Sequence, residues 1–384
     1  MDDRGRRNES NRELIEIIRD RIAGDGGRIT FAAFMDLALY HPEYGYYRTG
    51  PVRVSRAGDF ITAPEAHPIF GQVLALQLAE MWRRLDRPAL FTLREYGAGA
   101  GTLALDVLEA LRASGAPLAG AIRYEPVEIN PTRHAELTRG FETAGLRHHL
   151  VRPEPGEQIV GCVLANEFVD ALPVHRVEVR DGELREIYVT WRDGWFADEP
   201  GPLSTPEIAE RLRREGVTLV EGQRAEVSLG VRGWIDEVAA ALRRGYVLML
   251  DYGYPTAELY GRERAAGTLK AYYRHGVHQD PYRAVGEQDL TAHVDFSALR
   301  DAAEERGLLT LGLTTQADFL AGAGIGELLV AMQRRPGVTA DEYQAARAAV
   351  MHLIDPGGMG RFRVLVLGAG VASEPPLLGL SVSL

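Results

Sequence analysis

Apolar residues recur along this chain in two rhythms. Leu14, Ile15, Ile17, Ile18 and Ile22 repeat at helical spacing, and so do Phe34, Met35, Leu37 and Ala38 behind Thr30, a helix-capping residue. A third helix is predicted from about Pro68 to Leu85. Ala89-Leu90-Phe91-Thr92-Leu93 is short and apolar, as expected of a buried strand, and Thr102 to Leu108 returns to helical spacing. Buried strands alternating with helices predict a parallel sheet. From Val174 the pattern becomes strict alternation through Val179, then resumes through Ile187, Val189 and Trp191 beyond Asp181-Gly182, a β-hairpin signature. Val231 to Leu242 is helical again, and Tyr246 to Gly253 is a buried strand. Asp295 caps a helix through Leu299 and Ala303, and Leu308 to Thr314 is another strand. Asp318 to Leu353 is mostly helical, broken near Arg335-Pro336-Gly337. Arg361 to Leu367 is the last strand.

These boundaries give an N-terminal helical cap over 1–85 and the first half of a Rossmann-like α/β core over 86–173. A β-hairpin insertion over 174–230 follows, then the second core half over 231–315. A helical insertion over 316–355 precedes the last strand and tail over 356–384.

The stretch Glu95-Tyr96-Gly97-Ala98-Gly99-Ala100-Gly101 joins a strand to a helix. Its glycines permit a tight turn and close ligand approach, and the helix behind it offers unpaired N–H groups and a positive dipole end. Read as a dinucleotide fingerprint from Gly97, its sixth position is Thr102, which does not fit. Read from Gly99 it fits, but begins two residues late. The E-x-G-x-G-x-G register instead resembles the first motif of S-adenosylmethionine (SAM) methyltransferases, whose cofactor lays its methionine end over the glycines. The next strand ends in Glu128, placed to accept both ribose hydroxyls; Glu125 lies earlier, before Pro126. SAM and NAD both carry a ribose, so this acid does not separate them. Gly368-Ala369-Gly370 imitates such a turn, but the short tail behind it holds no further strand–helix–strand unit.

The chain has 384 residues, 46% hydrophobic and 25% charged, with a net charge of -11, ordinary globular values that argue against a broad nucleic-acid surface. The single cysteine, Cys162, sits in an apolar run and is expected in the core. The N-terminus is polar and no apolar run reaches the roughly 20 residues of a membrane span, so a soluble, cytoplasmic protein is expected. His275 to Asp280 carries two histidines without a cysteine set or an H-E-x-x-H frame, so no metal is expected. A P-loop and a G-x-S-x-G elbow are both missing from the sequence.

Several segments together resemble the MidA/NDUFAF7-type (DUF185) family of class I SAM-dependent methyltransferases. They are Phe34 to Tyr47, GDFITAPE at 58–65 with Ile69-Phe70-Gly71, the glycine turn, and ANEFVDALPVHR at 165–176. LDYGY at 250–254, DLTAHVDF at 289–296 and QADFL at 316–320 complete the set. The resemblance implies a class I methyltransferase core, SAM as cofactor and protein arginine methylation. Mitochondrial members of the family are arginine methyltransferases that assist respiratory complex I assembly. A protein acceptor, such as a respiratory-chain subunit, is therefore expected, and a homodimer is allowed. Two loops depart from the family pattern, Arg53 to Ala57 and Gly267 to Tyr282, where a substrate would be selected.

Methyl transfer needs nucleophile, methyl and sulfur in line, and a group that takes a proton. Glu167 and Asp170, behind the strand ending at Ala165, are carboxylates suited to a guanidinium. His293 is the candidate base, against a structural histidine. The expected cofactor residues are Glu95, Gly97, Gly99, Gly101, Glu128 and Asn166, with Asp59 and Thr62 added by resemblance. Asp251 and Tyr252 are expected at the same sheet edge. Three other readings stay open: a small-molecule O- or N-methyltransferase of specialised metabolism, a SAM-binding assembly factor without turnover, and a dehydrogenase.

Overall fold

A computed structural model describes residues 9–49, 67–154, 156–274 and 276–382. The chain divides into two compact units. One is drawn from Met1–Phe60, Val169–Trp234 and Gly253–Leu299, the other from Ile61–Phe168, Ile235–Tyr252 and Arg300–Leu384.

The second unit holds a six-stranded sheet. Its strands are β1 (Phe91–Tyr96), β2 (Ile122–Val127), β3 (Ile159–Asn166), β4 (Leu242–Asp251), β5 (Leu309–Thr315) and β6 (Arg363–Ala369), in the order β5-β6-β4-β3-β1-β2. Strands β2, β1, β3 and β4 run parallel, and β6 is antiparallel to both β4 and β5. This is the Rossmann-like α/β core that the alternating pattern predicts. All six residues of β1 are buried, the polar Thr92, Arg94 and Glu95 included, whereas Ala89 and Leu90 of the expected apolar run precede the strand and are exposed.

Helices α1 (Ile69–Arg84), α2 (Thr102–Ala113) and α3 (Pro131–Thr143) present their apolar stripes to one core. Leu103, Val107 and Leu111 of α2 meet Leu93 and Phe91 of β1 and Phe141 of α3 there, and the Phe141 ring stacks on Tyr124 of β2 at 5.2 Å. Cys162 is buried in the same cluster. The chain leaves β1 for β2 on one side and returns from β2 to β3 on the other. The carboxyl ends of β1 and β3 therefore flank the point where strand order reverses, the usual ligand crevice of an open α/β sheet. Behind the sheet, helices Gln316–Gly322, Ile325–Arg334 and Ala340–Leu353 follow β5, with the break at Arg335 to Val338 where Pro336-Gly337 interrupts the pattern.

The first unit is built on an antiparallel sheet. His175–Arg180 and Glu183–Arg192 form a hairpin across Asp181-Gly182, both at positive φ (55° and 73°), as a type I′ turn requires. A third strand, Trp195–Gly201, folds back across Asp193-Gly194, which repeats the same chemistry at φ 53° and 81° and which the sequence reading passed over. Arg28–Thr30 pairs with Glu183–Arg192, so the N-terminal segment and the hairpin share one sheet. Helices Arg12–Gly24 and Phe31–Tyr40 close over it, with Leu14, Ile18, Phe31, Phe34, Val189, Trp195 and Phe196 in their core. The Thr30 hydroxyl accepts the Ala33 N–H at 3.1 Å, the cap read from the sequence. No described helix in either unit is long and apolar enough to cross a membrane.

Candidate functional site

At the carboxyl end of β1 the chain turns through three glycines into α2. Gly97, Gly99 and Gly101 have φ of 69°, 54° and 76°, a region that costs L-residues about 1–2 kcal/mol each. Space forbids side chains there as well. A Cβ on Gly101 would stand 2.6 Å from Leu137 Cγ, and one on Gly97 would stand 3.1 Å from Phe168 Cδ2. Among the described residues no side chain caps the start of α2, so its first N–H groups face the turn.

Glu128 follows β2. One carboxylate oxygen accepts the Gly99 N–H and the other accepts the Asn130 N–H, both at 2.7 Å. Burial raises its pKa, against the lowering effect of those two N–H groups and of Arg133. Asn130 caps α3 in turn, its side chain accepting from Thr132 and Arg133 N–H. The second acid is thus tied to the glycine turn by the backbone. The Ile129 N–H acts on the same carboxylate, and of its roughly four acceptor sites what remains can accept a ligand hydroxyl. The residues fit a nucleoside cofactor: a side-chain-free cradle, a helix start and a fixed carboxylate share one edge.

Glu95 plays a different part. It is 4% exposed, and the Tyr124 hydroxyl donates to it at 2.6 Å. Burial pushes its carboxyl up to about 7, with the Tyr124 hydrogen bond opposing and the Glu128 charge assisting. A carboxyl with a raised folded pKa gives stability that is present below its unfolded pKa and is lost as pH rises through the folded one. Urea midpoints should therefore fall from pH 4.5 to pH 8 in the wild type, the Glu95 share amounting to at most about 3 kcal/mol. Asp106, also raised to about 7 by burial and then by Glu109, adds to the same fall. Glu95→Gln keeps the Tyr124 acceptor and removes the Glu95 share, so its midpoint falls less. Equal falls in both proteins would remove this assignment.

The carboxyl end of β3 meets the glycine turn. Asn166 ends the strand, its side-chain N–H donating to Glu167 at 3.4 Å. Glu167 has φ of 50°, a strained value for a residue with a side chain, and its N–H donates to the Leu250 carbonyl at 2.8 Å. Asp251, 0% exposed, accepts the Phe168 N–H at 3.2 Å and the Tyr252 N–H at 2.8 Å. Asp251 clamps two backbone turns, where the sequence suggested an edge group. The Phe168 ring lies beside Tyr96 at 5.6 Å and over Gly97. Glu95, Gly97, Gly99, Gly101, Glu128, Asn166 and Glu167 therefore gather at one sheet edge of one unit.

Asp170 and His293 belong to the other unit. The Asp170 carbonyl accepts the Ala292 N–H at 2.9 Å, so both lie by the strand Asp289–Thr291. The His293 ring packs at 5.5 Å from Tyr254, and its backbone N–H donates to the Thr268 hydroxyl. Asp59 and Thr62 lie outside the described residues.

Beyond Glu128 a cavity of about 680 Å³ opens, with Tyr96, Ile129, Arg152, Glu157 and Glu237 in its wall. The Arg94–Glu125 ion pair (2.8 Å) and the Tyr96–Glu237 hydrogen bond (2.8 Å) hold its inner side. Arg152, Pro153, Glu154, Gly156 and Glu157 line it, from the stretch between Leu150 and Gly161 that its Pro and Glu content makes a candidate for adenine contact, though no frame fixes the residues.

Known proteins resemble this chain over most of its length. A family model described as putative S-adenosyl-L-methionine-dependent methyltransferase matches residues 73–314. A Drosophila melanogaster relative, named protein arginine methyltransferase NDUFAF7 homolog, mitochondrial, is 30% identical over 92% of this chain and 86% of its own. The Rattus norvegicus protein arginine methyltransferase NDUFAF7, mitochondrial, is 30% identical over 89% and 81%. A crystal structure from Burkholderia thailandensis, bound to S-adenosyl-homocysteine, is 33% identical with a TM-score of 0.87, covering 99% of this chain and 97% of that one. With a family-model match over most of its length and a relative 30% identical across nearly all of it, the chain belongs to the family of S-adenosylmethionine-dependent methyltransferases.

Proposed function

We propose that this enzyme methylates a guanidinium nitrogen of a protein arginine. The observation that carries the reading is the shared edge of β1 and β3, where the glycine cradle and Glu128 stand beside the Glu167 carboxylate on a strained, clamped turn. Relatives named as protein arginine methyltransferases support the choice of acceptor.

The cofactor, when bound, supplies an electrophilic sulfonium methyl. Gly97, Gly99 and Gly101 would cradle its methionine end and Glu128 would accept from its ribose. Ile129, Arg152 and Glu157, in the wall of the neighbouring cavity, would hold the adenine. Glu167 accepts an N–H of the guanidinium, orients the nitrogen and takes the proton that this nitrogen gives up. Asp170 and His293 are proposed to serve the acceptor, and Asp59 and Thr62 the cofactor. A respiratory-chain subunit as acceptor, a homodimer and a cytoplasmic location are further parts of the proposal.

Incubation of the full chain with methyl-labelled SAM and cell extract tests it. Label in acid-stable methylarginine of a protein is the expected result. Label confined to small metabolites would transfer the enzyme to small-molecule chemistry, and no label would leave a cofactor-binding factor.

A further inference from the structure

Two tyrosines from the N-terminal motif meet two carboxylates from the later motifs in the first unit. The Tyr47 hydroxyl donates to Asp289 at 2.6 Å, and the Tyr40 hydroxyl donates to the Ala171 carbonyl at 2.9 Å, beside Asp170. The two rings lie 5.6 Å apart, and Tyr46 closes on Tyr47 edge to face at 5.2 Å. Asp36 stands one helical turn before Tyr40. Burial holds the Tyr40 phenol well above its usual range, and the charges of Asp289, Asp170 and Asp36 push it the same way. Tyr47 is raised by burial and then by Asp289, Tyr40 and Asp170. These carboxylates thus converge on one pair of rings.

A separate observation comes from the strand Asp289–Thr291. Residues two apart share a strand face, so the Thr291 hydroxyl stands on the face of the Asp289 carboxylate. Thr291 is 2% exposed, and its hydroxyl has no hydrogen-bond partner among the described residues. Leaving a buried hydroxyl unmet is costly, and a polar ligand would meet it. Lys270, the register partner of Thr291, is the basic side chain on this face; with it included, Asp36, Asp170 and Asp289 keep the named group net negative.

We infer that Asp170 and Asp289, walled by Tyr40 and Tyr47, form a site within the first unit that binds the cationic guanidinium of an arginine in the protein substrate, with Thr291 as an additional hydrogen-bonding group. Paired carboxylates match the planar donor fork of a guanidinium, and tyrosine faces attract a cation. The inference rests on arginine being the acceptor class. It adds Tyr40, Tyr47, Asp289 and Thr291 as specificity residues.

The test uses fluorescein-tagged Gly-Gly-Arg-Gly-Gly and its citrulline counterpart, a neutral near-isostere, with the full chain and S-adenosyl-homocysteine. Anisotropy titration should show the arginine peptide bound at least about tenfold more tightly. Asp289→Asn should level the two peptides while S-adenosyl-homocysteine affinity stays unchanged, and Asp289→Glu should restore part of the preference. If Asp289→Asn does not fold, Tyr47→Leu, which removes a ring and leaves the carboxylate, should still cut the preference at least about threefold. Equal binding of both peptides by the wild type, or an undiminished preference in a folded variant, overturns the inference. Arginine preference without protein methylation would leave this site standing and remove the proposed reaction. Protein methylation without the preference would do the reverse.

Discussion

Glu167→Gln lowers kcat about a hundredfold to ten-thousandfold and leaves S-adenosyl-homocysteine affinity within about threefold of the wild type, the range for loss of a positioned proton acceptor. The substitution keeps shape and removes charge. The turn that carries residue 167 is held by backbone groups, its N–H on the Leu250 carbonyl and the next N–H on Asp251, so glutamine inherits the same place. What is lost is the ability to draw a guanidinium N–H close and hold a proton. Steady-state rates with labelled cofactor and calorimetry with S-adenosyl-homocysteine separate the two quantities. A variant with near-normal kcat would mean that another group holds the proton.

Glu128→Ala is expected to act on the other quantity. Its carboxylate binds Gly99 and Asn130 N–H and, in the proposed complex, two hydroxyls. Removal forfeits both ligand bonds and frees the glycine turn. About 3–4 kcal/mol, or a hundredfold to a thousandfold in S-adenosyl-homocysteine affinity, should be lost. A double-mutant comparison isolates the ribose contacts. The 2′-deoxy and 3′-deoxy analogues should each bind the wild type more weakly than the parent compound, yet bind Glu128→Ala as well as the parent does. If the deoxy analogues lose as much affinity in the variant as in the wild type, the ribose is held by other residues.

The glycine turn was legible because its backbone leaves little choice of residue. Three left-handed values in five positions, with Leu137 and Phe168 against two of them, admit little but glycine. Glu128 was legible because an acid just past a strand end can reach the N–H groups of the turn beside it, as it does at Gly99 and Asn130. Glu95 was half legible. Its place in the motif was plain, but its partner Tyr124 lies on the neighbouring strand, and no local pattern announces a cross-strand pair. Asp251 was read as an edge group because it ends a strand, whereas its bond from the Phe168 N–H arises only after β3 and β4 align. The cavity beyond Glu128 left no trace in periodicity, since the Arg152–Glu157 wall is neither helix nor strand. Turn chemistry showed the first hairpin at Asp181-Gly182, and the same rule applied at Asp193-Gly194 would have found the third strand.

The placement of β6 has a consequence for biosynthesis. This strand is the last of the sheet in sequence, yet it lies inside the sheet, between β4 and β5. Until residues 363–369 leave the ribosome, β4 offers an open rim of peptide groups along a very apolar strand. Chains nascent or terminated between residues 251 and 363 therefore carry an adhesive edge, and holding chaperones have their natural point of attachment there.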